Sequence, residues 1–345
     1  MTEQITKGHL LNLQNTIKSQ FIEPYQNVKK LRTIQSTTKL QDSTSLKELS
    51  KLSNLMKSHA TKIGIVIKPD TFDEKNYNAI FKEIKGFIDA VFFYFSLLPL
   101  FYDKKANHPE YFLVKIDGLT LDLLKGMELL CKELEEKLED KDSDKDRLLC
   151  VGVIWACCDS LEEIATKGDF GLLADSIRGS NSLVDDVLND IDEFLENPSF
   201  SDEMFMDDEY SSDVEESKTP EEEEALKKMC KFLESWKTNL KMIKLLLSSF
   251  VSTITNTSSR PTNYTGTVLD EFQKLHLKIT EDIDTFISDV FMSDASFDVS
   301  DFEEEIGSLN VTLSKVIRVI KKINKDDNKK LKWVDVWENK YFKKE

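Results

Sequence analysis

Cys157 and Cys158 stand side by side in the stretch "GVIWACCDSLEEI", Gly152 to Ile164, close to Trp155 and Asp159. Adjacent thiols can serve as a redox couple, as half of a metal site or as a nucleophile. On a helix, neighbouring side chains diverge by about 100°, so this pair does not chelate one ion as a C-x-x-C pair would. The sequence holds no second such pair. Cys158 falls on the apolar stripe of Val151, Ile154, Leu161 and Ala165, and Cys157 has Asp159 nearby where an activated thiolate needs a positive charge. Both are read as packing residues, behaving as small hydrophobes.

The remaining reactive side chains are read in the same way. His59 shares an apolar stripe with Met56 and Ile63, and no second His or Cys stands three or four residues away, while His9, His108 and His276 are scattered. That is the pattern of a histidine satisfied inside a bundle rather than a ligand or a base. No glycine string able to cradle phosphate and no G-x-S-x-G turn occurs. Carboxylate runs such as "FEEEIGS" are read as solvated helix faces, not as a paired acid and base. The expectation is a chain without catalytic residues, cofactor or metal, and so not an enzyme.

Helices must position these residues. Apolar side chains recur at steps of three and four almost throughout, and prolines and glycines, seven and eleven, are few for 345 residues. Successive stripes are Leu10 to Phe21, Leu49 to Val66, Ile80 to Leu98 with a stop at Pro99, Ile116 to Leu134, the cysteine helix ending at Gly168, and Ile177 to Phe194. The run "AVFFYFSLLPL", Ala90 to Leu100, is shorter than the ~20 residues of a membrane span and is read as a buried helix end. The most regular stripe runs Leu226, Met229, Leu233, Trp236, Leu240, Ile243, Leu247, Phe250, Ile254, and needs partner helices. Two follow, Phe272 to Val290 and Phe302 to Ile323, the second opening on a capping box at Ser300 and Glu303. Glycines inside helices cost about 1 kcal/mol relative to alanine, so Gly118, Gly126 and Gly152 point to close helix approach.

Charge divides the chain. Between Glu196 and Glu224 thirteen acids face one base, Lys218, a composition too repulsive and too poor in apolar residues to fold alone. The fold class expected is therefore all-α: an amino-terminal bundle over residues 1–196, an acidic disordered linker over 197–224, and a carboxy-terminal bundle with a basic tail over 225–345. The net charge of −17 excludes an extended nucleic-acid footprint. Five unspaced cysteines and an opening without an apolar signal core point to a reducing compartment.

Two regulatory features stand out. Ser199 and Ser212 each precede an acid by three residues and Thr219 precedes Pro220, contexts suited to regulatory kinases. From Ser314 onward eleven Lys and Arg meet five acids, interleaved with tryptophans. Arg318, Lys321, Lys322, Lys332, Trp333 and Trp337 form either a solvated helix face or a docking surface for an acidic partner, an anionic membrane surface or the chain's own acidic stretch.

The stretches "SHATKIGIVIKP", "GFIDAVFFYFSLLP" and "KIDGLTLDLLKGMELL", followed by "GVIWACCDSLEEI", resemble the cyclin-D-binding protein family, also called Grap- and cyclin-D-interacting or Maid-like proteins. The resemblance covers about residues 45–195, and its least generic residues are Asp117, Gly118, Thr120, Asp122, Gly126 and Trp155, read as packing positions. It implies bundles similar to those of the talin rod and vinculin. It also implies a non-catalytic role in cytoplasm and nucleus, binding cyclin, helix-loop-helix or adaptor proteins and restraining the cell cycle and transcription. The alternative from the fold alone is a cytoskeletal or membrane-associated scaffold.

Overall fold

A computed structural model describes residues 4–68, 71–139, 149–200, 219–256, 260–261 and 264–343. All regular structure among them is helical. The helices are α1 (Lys7–Ile17), α2 (Val28–Leu31), α3 (Ser45–Val66), α4 (Tyr77–Tyr102), α5 (Glu110–Leu138), α6 (Leu149–Glu196), α7 (Pro220–Thr255), α8 (Gly266–Phe291), α9 (Glu303–Ile323) and α10 (Asn328–Phe342). They form two compact units, Met1–Asp169 and Phe170–Glu345.

The division falls inside α6. Gly168 adopts φ 59° and ψ −167°, a conformation open to glycine alone at little cost, and interrupts the helix there. Sequence charge places the boundary later, at the acidic stretch. The second half of α6 instead packs in the second unit, where Asp185 and Asp192 pair with Lys244 and Lys237 of α7, and Asn181 donates to Ser248 over 3.1 Å. The acidic run is also not wholly outside the helices: Glu221 to Glu224 form the first turns of α7. Negative side chains there face the positive end of the helix dipole, so the same charges that forbid a core favour a helix start.

In the first unit α3 and α4 form the most extensive helix pair, with α1 and α5 packed beside them. Glycines set the closest approaches. A Cβ on Gly126 of α5 would lie 2.8 Å from Ile154 Cγ1 of α6, and one on Gly86 of α4 would lie 2.4 Å from the His59 ring of α3. Nothing lies within 4 Å of a Cβ built on Gly118 or Gly152, so close approach is not their role. The α4 helix continues through Pro99 to Tyr102. Its last turn is held from outside, Phe101 packing on Phe112 and Tyr102 bonding to Asp117, which compensates the missing proline amide.

By length and composition α4 is long and apolar enough to cross a bilayer, but Ile80, Ile84, Phe87, Val91, Tyr94 and Leu98 are buried within the unit.

In the second unit every member of the α7 stripe is buried, from Leu226 to Ile254. Phe232 and Trp236 of α7 meet Phe286 of α8, and Phe297 and Phe302 close the cluster. A 3-10 turn at Val299–Phe302 delivers Phe302 to it, and Asp298 caps that turn by accepting from the Ser300 amide. The Ser300 hydroxyl donates to Asp298, so the capping box read there is absent. The reciprocal box occurs instead at Thr219 and Glu222, with Pro220 in the first turn of α7.

Candidate interaction surfaces

Asp117 and Thr120 lie one turn apart on the inner face of α5 and organise the polar interior of the first unit. Asp117, 1% exposed, accepts from Tyr102 Oη at 2.7 Å and from Arg32 Nε at 2.8 Å and Nη2 at 2.7 Å. The same guanidinium reaches Glu110 at 2.7 Å, and the pairing fastens the turn after α2 to α5. Thr120 donates to the Ile116 carbonyl at 2.8 Å, so its oxygen is left to accept from Tyr94 Oη at 2.6 Å. Burial pushes both phenols well above their ordinary range. Of the other residues carrying the resemblance, Gly126 is packed against α6. Asp122 is half exposed beside Lys125, and Trp155 is 38% exposed with Lys57 over its ring. The signature is thus partly interior and partly surface.

The thiols are placed against ionisation. Cys157 and Cys158 are 4% and 1% exposed, and burial pushes them up to about 11 and about 12. His59 Nδ1 lies 2.9 Å from Glu83 Oε2. His276, wholly buried, sits 3.0 Å from Ser180 Oγ and 3.1 Å from Gln273 Oε1, and burial lowers its pKa to about 4. His108 stacks on Phe112 and lies 2.8 Å from Asp169, next to the Gly168 break. Among the described residues no three His, Cys, Asp or Glu are grouped to hold a metal ion.

The surface is where the sequence reading needs correction. Within the run expected to be buried, Phe92 and Phe93 are 56% and 59% exposed and pack edge to face with centroids 6.0 Å apart. Val91, Tyr94, Phe95 and Leu98 take the inner face of α4, and two aromatic side chains one and two residues on from Val91 are turned out of it. The contact of Gly86 with His59 sets the register between α3 and α4. One turn away on each helix, Leu55, 44% exposed, comes level with exposed Asp89, one turn before the aromatic pair. Lys62, Lys82 and Lys85 are exposed on the same two helices. Five consecutive large apolar residues, Val91 to Phe95, exceed what one helix face can bury, which is the signal in the sequence that points to this surface.

The basic segment separates into two groups. Trp337 is buried, donates from Nε1 to the Met242 carbonyl at 2.8 Å and stacks on Tyr341, so it is a core residue and not part of a docking face. Lys321 pairs with Asp335 and Glu338, both at 2.6 Å, and ties α9 to α10. Arg318, Lys322 and Lys332 are exposed, and Trp333 is 37% exposed. Behind Trp333 a cavity of about 40 Å³, lined by Asn324, Ser249 and Lys330, has room for a water or two and no organic ligand. Of the three phosphorylation candidates, Ser199 is half-buried just after α6, Thr219 is the N-cap of α7, and Ser212 lies outside the described residues.

Residues 48–197 match the family model described as Grap2 and cyclin-D-interacting, N-terminal, and residues 202–318 match its C-terminal counterpart. An uncharacterized protein of Saccharomyces cerevisiae is 37% identical over 340 residues, covering 96% of this chain and 95% of its own. An uncharacterized protein of Schizosaccharomyces pombe is 21% identical over 303 residues, covering 84% and 83%.

Proposed function

Because the chain belongs to the Grap2 and cyclin-D-interacting family, we propose that it is a non-enzymatic interaction protein that binds cyclin or helix-loop-helix-type partners. Through them it restrains cell-cycle progression and transcription, in cytoplasm and nucleus. The observation that carries this reading is the outward-turned pair Phe92 and Phe93, inside one of the stretches on which the family resemblance rests. Rigid aromatic side chains that remain half exposed in a folded chain are the residue type that anchors protein interfaces.

The setting suits a partner helix. The α3–α4 pair offers Leu55, Phe92 and Phe93 as apolar contacts, with exposed Asp89 one turn before Phe92 and exposed Lys62, Lys82 and Lys85 further along the same two helices. An amphipathic helix laying its apolar side along these residues and presenting acids to the lysines would be selected by both terms. The non-enzymatic reading is supported by thiols that burial keeps protonated.

The test is affinity purification of the full chain beside Phe92→Ser/Phe93→Ser, followed by direct titration of recovered cyclins or helix-loop-helix proteins. Loss of two interface anchors is expected to weaken binding on the order of a hundredfold or more. Equal retention of such a partner by parent and variant would remove the α4 face from the mechanism, and recovery of no such protein by the parent would remove the reading itself.

A further inference from the structure

We propose that the outer face of α9 and α10 is a docking surface for an anionic lipid bilayer. This goes beyond the partner-binding reading and does not rest on it.

The face is built from two helices whose alignment is fixed. Lys321 of α9 reaches both Asp335 and Glu338 of α10, so the helices run side by side with this cluster at their seam. A quarter turn outward on α9, Lys315, Arg318 and Lys322 recur at steps of three and four, and Lys325 follows in the turn after the helix, all exposed. On α10 the exposed strip is Lys329, Lys332, Val336 and Lys340, continued by Lys343 just past the helix end, again at steps of three and four. Among the described residues none of these eight cations makes an ion pair, because the two acids of α10 are already taken by Lys321. Asp326 lies exposed in the turn between the helices, so the face is strongly but not wholly positive.

Charge alone would equally suit an acidic peptide, and the apolar residues decide between them. Val336 is 66% exposed in the middle of the lysine strip, with Trp333 at 37% and Phe342 at 39% on the same helix. Lysines surrounding a protruding aliphatic residue and a half-exposed tryptophan are what a helix lying in a bilayer interface presents. The chain's net charge of −17 does not forbid the contact, since charges more than about 8 Å from the surface are screened at physiological salt. Each cation brought to an anionic surface raises affinity about fivefold.

The experiment is sedimentation of the full chain with phosphatidylcholine vesicles, with and without about 30% phosphatidylserine, at ~0.1 M and ~0.5 M salt. The expected result is recovery with the anionic vesicles alone, lost at the higher salt. Lys322→Glu/Lys332→Glu/Lys340→Glu is expected to lower partitioning on the order of a hundredfold or more, and Val336→Ser several-fold. Lys47→Glu/Lys104→Glu/Lys105→Glu, which changes net charge equally at exposed lysines of the first unit, is expected to leave it within a few-fold. Equal loss in both charge variants would overturn the location. No recovery with phosphatidylserine at low salt would overturn the proposal, as would binding of an oligonucleotide or a synthetic peptide of residues 201–218 where anionic vesicles recover nothing.

Discussion

The phenol of Tyr102, in the last turn of α4, donates to the carboxylate of Asp117 on α5 across 2.7 Å, and Arg32 grips the same carboxylate from the other side. One acid thereby holds three parts of the first unit together. Its two supports differ in kind. Tyr102→Phe removes one donor to a charged acceptor and is expected to cost about 1.5–3 kcal/mol. Arg32→Ala leaves a 1%-exposed carboxylate without its cation and is expected to cost more, about 3 kcal/mol, held to the low end by the exposed edge of the guanidinium. Urea unfolding of the two variants checks the order; a larger loss for Tyr102→Phe would mean that solvent already satisfies the ion pair.

Glycine substitutions separate close approach from exposure. Gly86→Ala drives a methyl to 2.4 Å from the His59 ring, which sits in a hydrogen bond to Glu83, and is expected to destabilise by about 1–3 kcal/mol. Gly118→Ala, with nothing within 4 Å in mid-helix, is expected to stabilise by up to ~1 kcal/mol. Opposite shifts in thermal midpoint are the readout.

These two glycines also show what the sequence discloses. Apolar periodicity located the helices because burial follows 3.6-residue geometry, and the α7 stripe is buried at each position read from it. Periodicity says less about which residues of an apolar run face outward, because Phe92 and Phe93 belong to the same run as buried Val91 and Tyr94. Nor does it distinguish Trp333 from Trp337: half exposure and burial follow from which side of α10 meets α7, a tertiary fact. Gly118 and Gly126 are equivalent as letters, and only the position of Ile154 makes one of them a contact. The unit boundary was hidden for a related reason, since the glycine that ends one helix is followed at once by another.

His276 gives a pH dependence with a definite sign. Burial lowers its pKa from the ordinary 6.5 to about 4, so the unfolded chain binds the proton more readily. Its contribution is fully present above pH 6.5, declines as pH falls through the interval from 6.5 to about 4, and is lost below it. The span corresponds to stability on the order of 3 kcal/mol. Its hydrogen-bond neighbours Ser176, Ser180 and Gln273 carry no charge of their own. Carboxylates titrate in the same range, so the comparison is with His276→Gln: urea midpoints that fall equally in both proteins between pH 6.5 and 5 would exclude the histidine as the cause.

Thr219 caps α7 and stands before Pro220, the context read as suited to a proline-directed kinase. It accepts from the Glu222 amide at 3.3 Å while the Glu222 carboxylate accepts from the Thr219 amide at 2.6 Å, so one half of the box uses the Thr219 hydroxyl and the other its backbone amide. Thr219→Ala is expected to cost about 1 kcal/mol and to speed hydrogen exchange at the first amides of α7. Phosphorylation has two opposed effects. A dianion at the N-terminus of a helix is favoured by the exposed amides and the dipole, but Glu221 to Glu224 already occupy that turn. The modified oxygen still accepts from an amide, whereas the reciprocal carboxylate of Glu222 is repelled. Phosphorylation at Thr219 is therefore expected to loosen the Glu222 half of the box without melting α7. Exchange at the Thr219 amide should rise in the phosphorylated chain while amides beyond Leu226 stay protected; loss of protection along the whole helix would show that repulsion outweighs the dipole.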